Sequence, residues 1–255
     1  MRPYRNGEEH EMELSGRVAL VTGGGRGIGR ATALALGQAG ADVAVAARTE
    51  AEVAAVAEEL RGAGRRSLAI VCDVTRYDAC VAMVEQTLTE LGRLDILVAN
   101  AGGGEERAKV ADSDPERWAG TVALNLSGAY NCARAALPAL TAADNGKIIM
   151  MGSGMGHVPL PGNSAYSAAK AGVWMLTRCL AQEVWEQGID VNEIIPGPVL
   201  TPLTEAIFKL NEPPPFAPSE RVKPPEEVAE LVVWLATRPP GGPTGQSFSL
   251  ARRPL

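Results

Sequence analysis

The chain has 255 residues and a formal net charge of −6, with 46% hydrophobic and 21% charged residues. That length buries a full core without metal or disulfide staples and suits one large α/β domain as well as two small ones. An acidic balance gives no footing for nucleic acid or an anionic membrane, so neither partner is expected.

The opening MRPYRNGEEHEMEL is polar and lacks the apolar stretch of a signal peptide, and residues 1–15 read as a flexible extension. Order is expected from Arg17, where RVALVTG is a short β-branched run ending in glycine. A helical pattern follows over about Gly27–Ala39, with Ile28, Ala31, Leu34 and Ala35 at helical spacing and Gly40 as the stop. ADVAVAAR is a second strand, and the Ala- and Glu-rich TEAEVAAVAEELRGAG a second helix. SLAIVCDV is a third strand, Tyr77–Leu91 a third helix closed by Gly92, and LDILVANAG a fourth strand. Asp114 and Pro115 are suited to N-cap and N1 of a long helix reaching about Leu137. GKIIMMGS is a fifth strand, about Ala165–Gln187 another helix, and IDVNEIIPG a sixth strand.

Residues 196–225 then hold nine prolines, which marks a long excursion from the regular fold, a lid over about 200–223. A helix from Pro225 to about Thr237 and the strand GQSFSL close the chain. Strands that are apolar throughout, alternating with helices, predict a parallel sheet covered on both faces. With no linker-like break, residues 16–255 read as one domain. Cys72, Cys80, Cys132 and Cys179 form no C-x-x-C pair, and His10 and His157 are the only histidines, so no metal site is expected. Free thiols and the absence of a membrane-length apolar run suit a cytoplasmic protein.

Two stretches carry chemistry. Thr22-Gly23-Gly24-Gly25-Arg26-Gly27-Ile28-Gly29 joins the first strand to the first helix, where glycines let backbone N–H groups approach a pyrophosphate. In SGMGHVPLPGNSAYSAAK, Ser153 is followed by Tyr166 and, four residues later, Lys170. On a helix the phenol and the ammonium share a face, and a cation beside a phenol favours the phenolate. Tyr166 is then a candidate acid/base and Ser153 a hydrogen-bond partner for a substrate oxygen. The plainer reading of a lone Tyr-x-x-x-Lys is an amphipathic helix with a surface lysine.

The T-G-x-x-x-G-x-G spacing, Asp73 after the third strand, Asn100-Ala101-Gly102 after the fourth, Asn125, Ser153, Tyr166-x-x-x-Lys170 and Pro196-Gly197 occur in the order of the short-chain dehydrogenase/reductase family. Over about residues 16–250 the chain resembles its single-domain branch. The resemblance implies a Rossmann-type doubly wound parallel sheet of seven strands, order 3-2-1-4-5-6-7, and hydride exchange between a nicotinamide and a carbonyl or alcohol. It implies Tyr166 as general acid, Ser153 orienting the substrate, Lys170 acidifying the tyrosine and holding the ribose, and Asn125 holding a proton-relay water. Gly23, Gly25, Gly27 and Ile28 belong to its phosphate loop. Asp73 and Val74 would meet the adenine, Asn100, Ala101 and Gly102 the adenosine ribose, and Pro196, Gly197, Val199 and Thr201 the nicotinamide.

Alanine at Ala47 takes the family's usual acidic position and Arg48 follows, so Arg48 with Arg26 favours the 2′-phosphate of NADP(H). NAD(H), or dual use, is the alternative. Substrate-wall candidates are Met155, His157, Leu203 and Phe208, with Ile207, Leu210 and Phe216 also in the lid. They favour a mainly apolar small-molecule ketone or acyl chain, and the nearest generic match is a 3-oxoacyl reductase. Glu193, inside VNEII, replaces the family's usual small residue. Ala165, Ser167, Ala168, Ala169, Ala171 and Gly172 suit a helix–helix contact between copies, a homotetramer or dimer. The rival classes are a redox-inactive nucleotide-binding regulator on the same fold, an NAD-preferring alcohol dehydrogenase, and a sugar-nucleotide epimerase or dehydratase.

Overall fold

The computed structural model describes residues 13–104, 106–214 and 217–252. Seven strands alternate with helices: β1 (Val18–Thr22), α1 (Gly27–Gln38), β2 (Asp42–Ala47), α2 (Glu50–Gly62), β3 (Ser67–Val71), α3 (Tyr77–Leu91) and β4 (Ile96–Ala99) form the first half. The second half is α4 (Pro115–Val122), a π-turn (Ala123–Ser127), α5 (Gly128–Thr141), β5 (Gly146–Met151), α6 (Ser164–Val184), β6 (Ile189–Ile195), α7 (Pro225–Ala236) and β7 (Ser247–Ser249). All pairings are parallel and the sheet order is β3-β2-β1-β4-β5-β6-β7, as expected.

Strand periodicity divides the apolar residues between two cores. Val18, Leu20, Leu97, Ile148 and Met150 face a layer that includes Met83, Ala133, Val173 and Leu180 of α3, α5 and α6. Their neighbours Ala19, Val21, Val98 and Ile149 face Leu36, Val56, Leu60 and Val232 of α1, α2 and α7. β1 and β4, in the middle of the sheet, are buried at every position, whereas the edge strands β3 and β7 are partly exposed. The chain order reverses between β1 and β4, and the carboxyl ends of those strands open the crevice where such sheets hold ligands.

Local signals fixed several boundaries. The Asp114 side chain accepts from the Glu116 and Arg117 N–H groups, with Pro115 at the first helical position. Gly92 ends α3 at φ 90°, a conformation that favours glycine. Two expectations need correction. Order begins before Arg17, because Leu14 is buried and its N–H donates to Ala39 O at 2.9 Å. The helix expected over about 115–137 is interrupted by the π-turn and runs on to Thr141. Within that turn Asn125 Nδ2 donates to Thr121 O at 2.9 Å, the acceptor a regular α-helix offers to the backbone N–H of residue 125. Of the small residues of α6, Ala165 and Ala169 are buried and a Cβ on Gly172 would collide with Leu126, while Ala168 is exposed.

Among the described residues no helix is long and apolar enough to cross a membrane, and no group of side chains could hold a metal ion. The extension over residues 1–12, Phe216 and the last three residues of the tail lie outside the described residues.

Candidate active site

A cavity of about 550 Å³ opens over the carboxyl ends of β1, β4, β5 and β6. It is lined at one end by the glycine loop and at the other by Ser153, Tyr166 and the 200–223 excursion. That size is within the range of small-molecule and cofactor sites.

The loop has the properties of a phosphate cradle. Gly23 (φ 62°) and Gly27 (φ 54°) take the left-handed conformation, and a Cβ on Gly29 would collide with the Gly23 carbonyl. Arg26, the N-cap of α1, makes no side-chain cap, so the first N–H groups of the helix remain available to an anion. Asn100, expected beside a ribose, has its amide committed to this loop: Nδ2 donates to Thr22 O at 2.9 Å and Gly23 O at 3.2 Å. It clamps the loop to the end of β4. Thr201 packs over Gly27, about 3.3 Å from where a Cβ would stand.

At the far end Arg48 is exposed and lines the cavity, near enough to Asp73 to help hold that carboxyl below its usual range. The larger cause there is Thr75, whose N–H and hydroxyl donate to Asp73 Oδ1 at 3.0 and 2.8 Å. Arg26 lies 3.7 Å from Glu52 in the first turn of α2. Glu52 also packs where a Cβ of Gly25 would stand, so it borders the loop that Arg26 belongs to. Sequence reading missed Glu52; its signal was an acidic residue one helical turn past the arginine that follows β2.

The reacting wall joins three elements. Ser153 follows β5, and Tyr166 and Lys170 project from the first turns of α6. Lys170 Nζ is buried, donates to Met151 O at 2.7 Å, and lies 5.6 Å from the Tyr166 ring centre. Burial lowers its pKa to about 8, against an opposing pull from Glu193. Burial pushes Tyr166 up and the Ser153 hydrogen bond pulls it partly back, while the ammonium is turned to the Met151 carbonyl. Asn125 sits behind this wall. Its Oδ1 accepts from Gly103 N at 3.2 Å and its Nδ2 donates to Gly103 O at 2.6 Å. A Cβ on Gly102 would lie 2.7 Å from Asn125 Oδ1 and 3.5 Å from Lys170 Nζ, so these groups converge on one glycine.

Gly23, Gly25, Arg26, Gly27, Ile28, Arg48, Asp73, Val74, Asn100, Ala101, Gly102, Pro196, Gly197, Val199 and Thr201 all line the cavity, as do Met155, Leu203 and Phe208. His157 does not. Its ring stands edge-on to Trp174 at 5.4 Å, behind the turn expected to expose it. Leu160, Asn163, Pro198 and Arg107 line the cavity as well.

A family model described as short chain dehydrogenase matches residues 17–212. The chain belongs to that family. It is 38% identical over 245 residues to a 3-oxoacyl-(acyl-carrier-protein) reductase of Synechocystis sp., covering 93% of this chain and 96% of the relative. It is 40% identical over 223 residues to a cis-4-hydroxycyclohexanecarboxylate dehydrogenase of Sinomonas cyclohexanicum, covering 87% and 89%. A solved short-chain type dehydrogenase/reductase from Mycobacterium marinum superposes with TM-score 0.85 at 35% identity, over 94% of this chain and 96% of that one. The protein is therefore an oxidoreductase of a family that acts on CH–OH groups with NAD(P)(H).

Proposed function

We propose that the protein interconverts a mainly apolar ketone and its secondary alcohol with a preference for NADP(H), in the cytoplasm. The observation that carries this reading is the convergence of the glycine cradle with Ser153, Tyr166 and Lys170 on one cavity. When bound, the nicotinamide supplies or accepts the hydride. Gly23, Gly25, Gly27 and Ile28 would hold the pyrophosphate, Asp73 and Val74 the adenine, Ala101 and Gly102 the adjoining ribose. Pro196, Gly197, Val199 and Thr201 would border the nicotinamide.

Ser153 donates a hydrogen bond to the substrate oxygen, and Tyr166 gives that oxygen its proton as negative charge develops. The raised pKa of Tyr166 keeps the phenol protonated, the form an acid needs for ketone reduction. The Lys170 charge offsets the phenolate as the proton leaves, and Asn125 anchors the Gly103 backbone beside it. Support for NADP(H) comes from Ala47, which puts no carboxylate at the end of β2, and from Arg48 and Arg26 near that end.

Arg107 favours a second reading of the substrate. Among the described residues lining the cavity the cationic side chains are Arg26, Arg48, Arg107 and Lys170, and Arg107 is exposed. A ketone carrying a carboxylate, in the manner of the compound named for the Sinomonas relative, suits it. Exposed Tyr130, Met175 and Trp185 on and beside α5 and α6 support assembly as a homodimer or tetramer.

The test is binding of NADPH and NADH by fluorescence, then loss of cofactor absorbance with 3-oxoacyl thioesters, neutral ketones, and 4-oxocyclohexanecarboxylate beside its methyl ester. Turnover of the carboxylate over the ester supports the Arg107 reading. Binding with no turnover across the panel favours the redox-inactive regulator.

A further inference from the structure

Glu193 is a fully buried carboxyl group on β6, in line with Ile189 and Val191 on the face that packs with Val173 and Leu180 of α6. Its Oε2 accepts from Ser247 Oγ at 2.5 Å, whereas Oε1 has no hydrogen-bond partner. His157 Nε2 lies 4.0 Å from Oε2 and is likewise buried without a partner. Glu193 and His157 each keep a buried polar atom unpaired, which is costly and calls for an explanation.

Their position in the chain supplies one. A Cβ on Gly152 would collide with the Glu193 carboxylate, so that side chain occupies the space beside the residue preceding Ser153. His157 closes the short 3₁₀ turn Gly154–Gly156 that follows Ser153. Glu193 thus abuts both ends of the turn that carries the reacting serine. One residue before Gly152, the Met151 carbonyl receives Lys170 Nζ. The charged groups facing Glu193 are Lys170 and Arg178 from α6 and His157 from the turn, with Ser247 from β7. Arg178 stacks on Trp174 at 4.4 Å, and Trp174 in turn takes the His157 ring edge-on.

We propose that Glu193 is a positioning residue for the reaction: with His157 as its proton-sharing partner it braces the Gly152–His157 turn, and its carboxylate is the buried counter-charge of Lys170. The proposal rests on the reading of Ser153, Tyr166 and Lys170 given above. Burial pushes Glu193 up while Ser247, Arg178 and Lys170 draw it back, and burial with Arg178 pushes His157 down.

Glu193→Gln keeps the shape and removes the charge, and His157→Gln removes the partner. Both should bind NADPH with wild-type affinity and leave KM for the ketone little changed. Their kcat should fall by roughly 10- to 100-fold, the scale set by a misplacement of up to an ångström. In Glu193→Gln the limb of the pH–rate profile that follows Lys170 should move to lower pH, because the ammonium has lost its counter-charge. Wild-type kcat and pH profile in folded Glu193→Gln would overturn the proposal.

A second measurement needs no substrate. The chain has two histidines, so the His157 imidazole can be titrated by NMR in the wild type and in Glu193→Gln. Its midpoint should drop by about one unit or more in the variant, as expected when an opposite charge within reach is removed. An unchanged midpoint would overturn the pairing. Should no ketone be turned over by the wild type, the functional reading fails, and this titration still decides the Glu193–His157 pair.

Discussion

Lys170 Nζ lies 5.6 Å from the centre of the Tyr166 ring and donates to the Met151 carbonyl at 2.7 Å. The ammonium is thereby fixed to the end of β5, the same strand end that leads into Ser153, and one helical turn of α6 presents both side chains to the cavity. Tyr166→Phe removes the proton and leaves the ring, so folding and NADPH binding should be unchanged. Steady-state kinetics should show kcat reduced by roughly 10²- to 10⁴-fold, the usual contribution of a positioned acid.

Burying Lys170 costs stability. In the folded chain its pKa is lowered to about 8, against 10.5 for the free side chain. Between those values the unfolded chain binds more protons, so stability rises with pH across that window. Lys170→Met removes this titration. Denaturant midpoints of the wild type should rise with pH between about 8 and 10.5, and the variant should lack that rise. Its activity should be lost over the whole range.

The proposed preference for NADP(H) rests on charges around the ends of β2 and the glycine loop. Arg48→Asp should raise KM for NADPH by roughly 10- to 100-fold, the worth of a charge-assisted hydrogen bond, and leave NADH nearly unaffected. Glu52→Gln frees Arg26 from its partner 3.7 Å away and should lower KM for NADPH. Equal effects on both cofactors in Arg48→Asp would count against the assignment.

Away from the site, Lys147 and Asp190 form a buried ion pair between β5 and β6, with Lys147 Nζ also 3.4 Å from Pro239 O. Burial holds the Lys147 pKa below its usual value even with that partner. Lys147→Met leaves a buried carboxylate unpaired and should cost about 3–5 kcal/mol in urea denaturation. The double variant Lys147→Met/Asp190→Leu should recover most of the loss, since an apolar pair needs no desolvation.

The strands were legible as short runs that are mostly apolar, and α3 and α4 because Gly92, Asp114 and Pro115 mark their ends with local chemistry. The motif residues that meet in the cavity were legible through the family's spacing. The rest depends on contacts between distant parts of the chain. The π-turn accompanies hydrogen bonds from Asn125 to Gly103 and Thr121, and His157 turns away from the cavity towards Trp174. Gly172 of α6 meets Leu126 of the π-turn, a contact that no local pattern announces. Glu193 was conspicuous as a residue type, but its place beneath the Ser153 turn depends on the β5–β6 register.

The central claim is that Ser153, Tyr166 and Lys170 carry a ketone–alcohol exchange at a cavity that binds NADP(H). It is tested most directly by following NADPH oxidation by wild type and Tyr166→Phe against ketones and 3-oxoacyl thioesters, with NADPH binding measured in parallel. The wild type should turn over at least one ketone, and the variant should bind NADPH equally well without turnover. Near-normal turnover in Tyr166→Phe, or NADPH binding with no ketone reduced by the wild type, would contradict it.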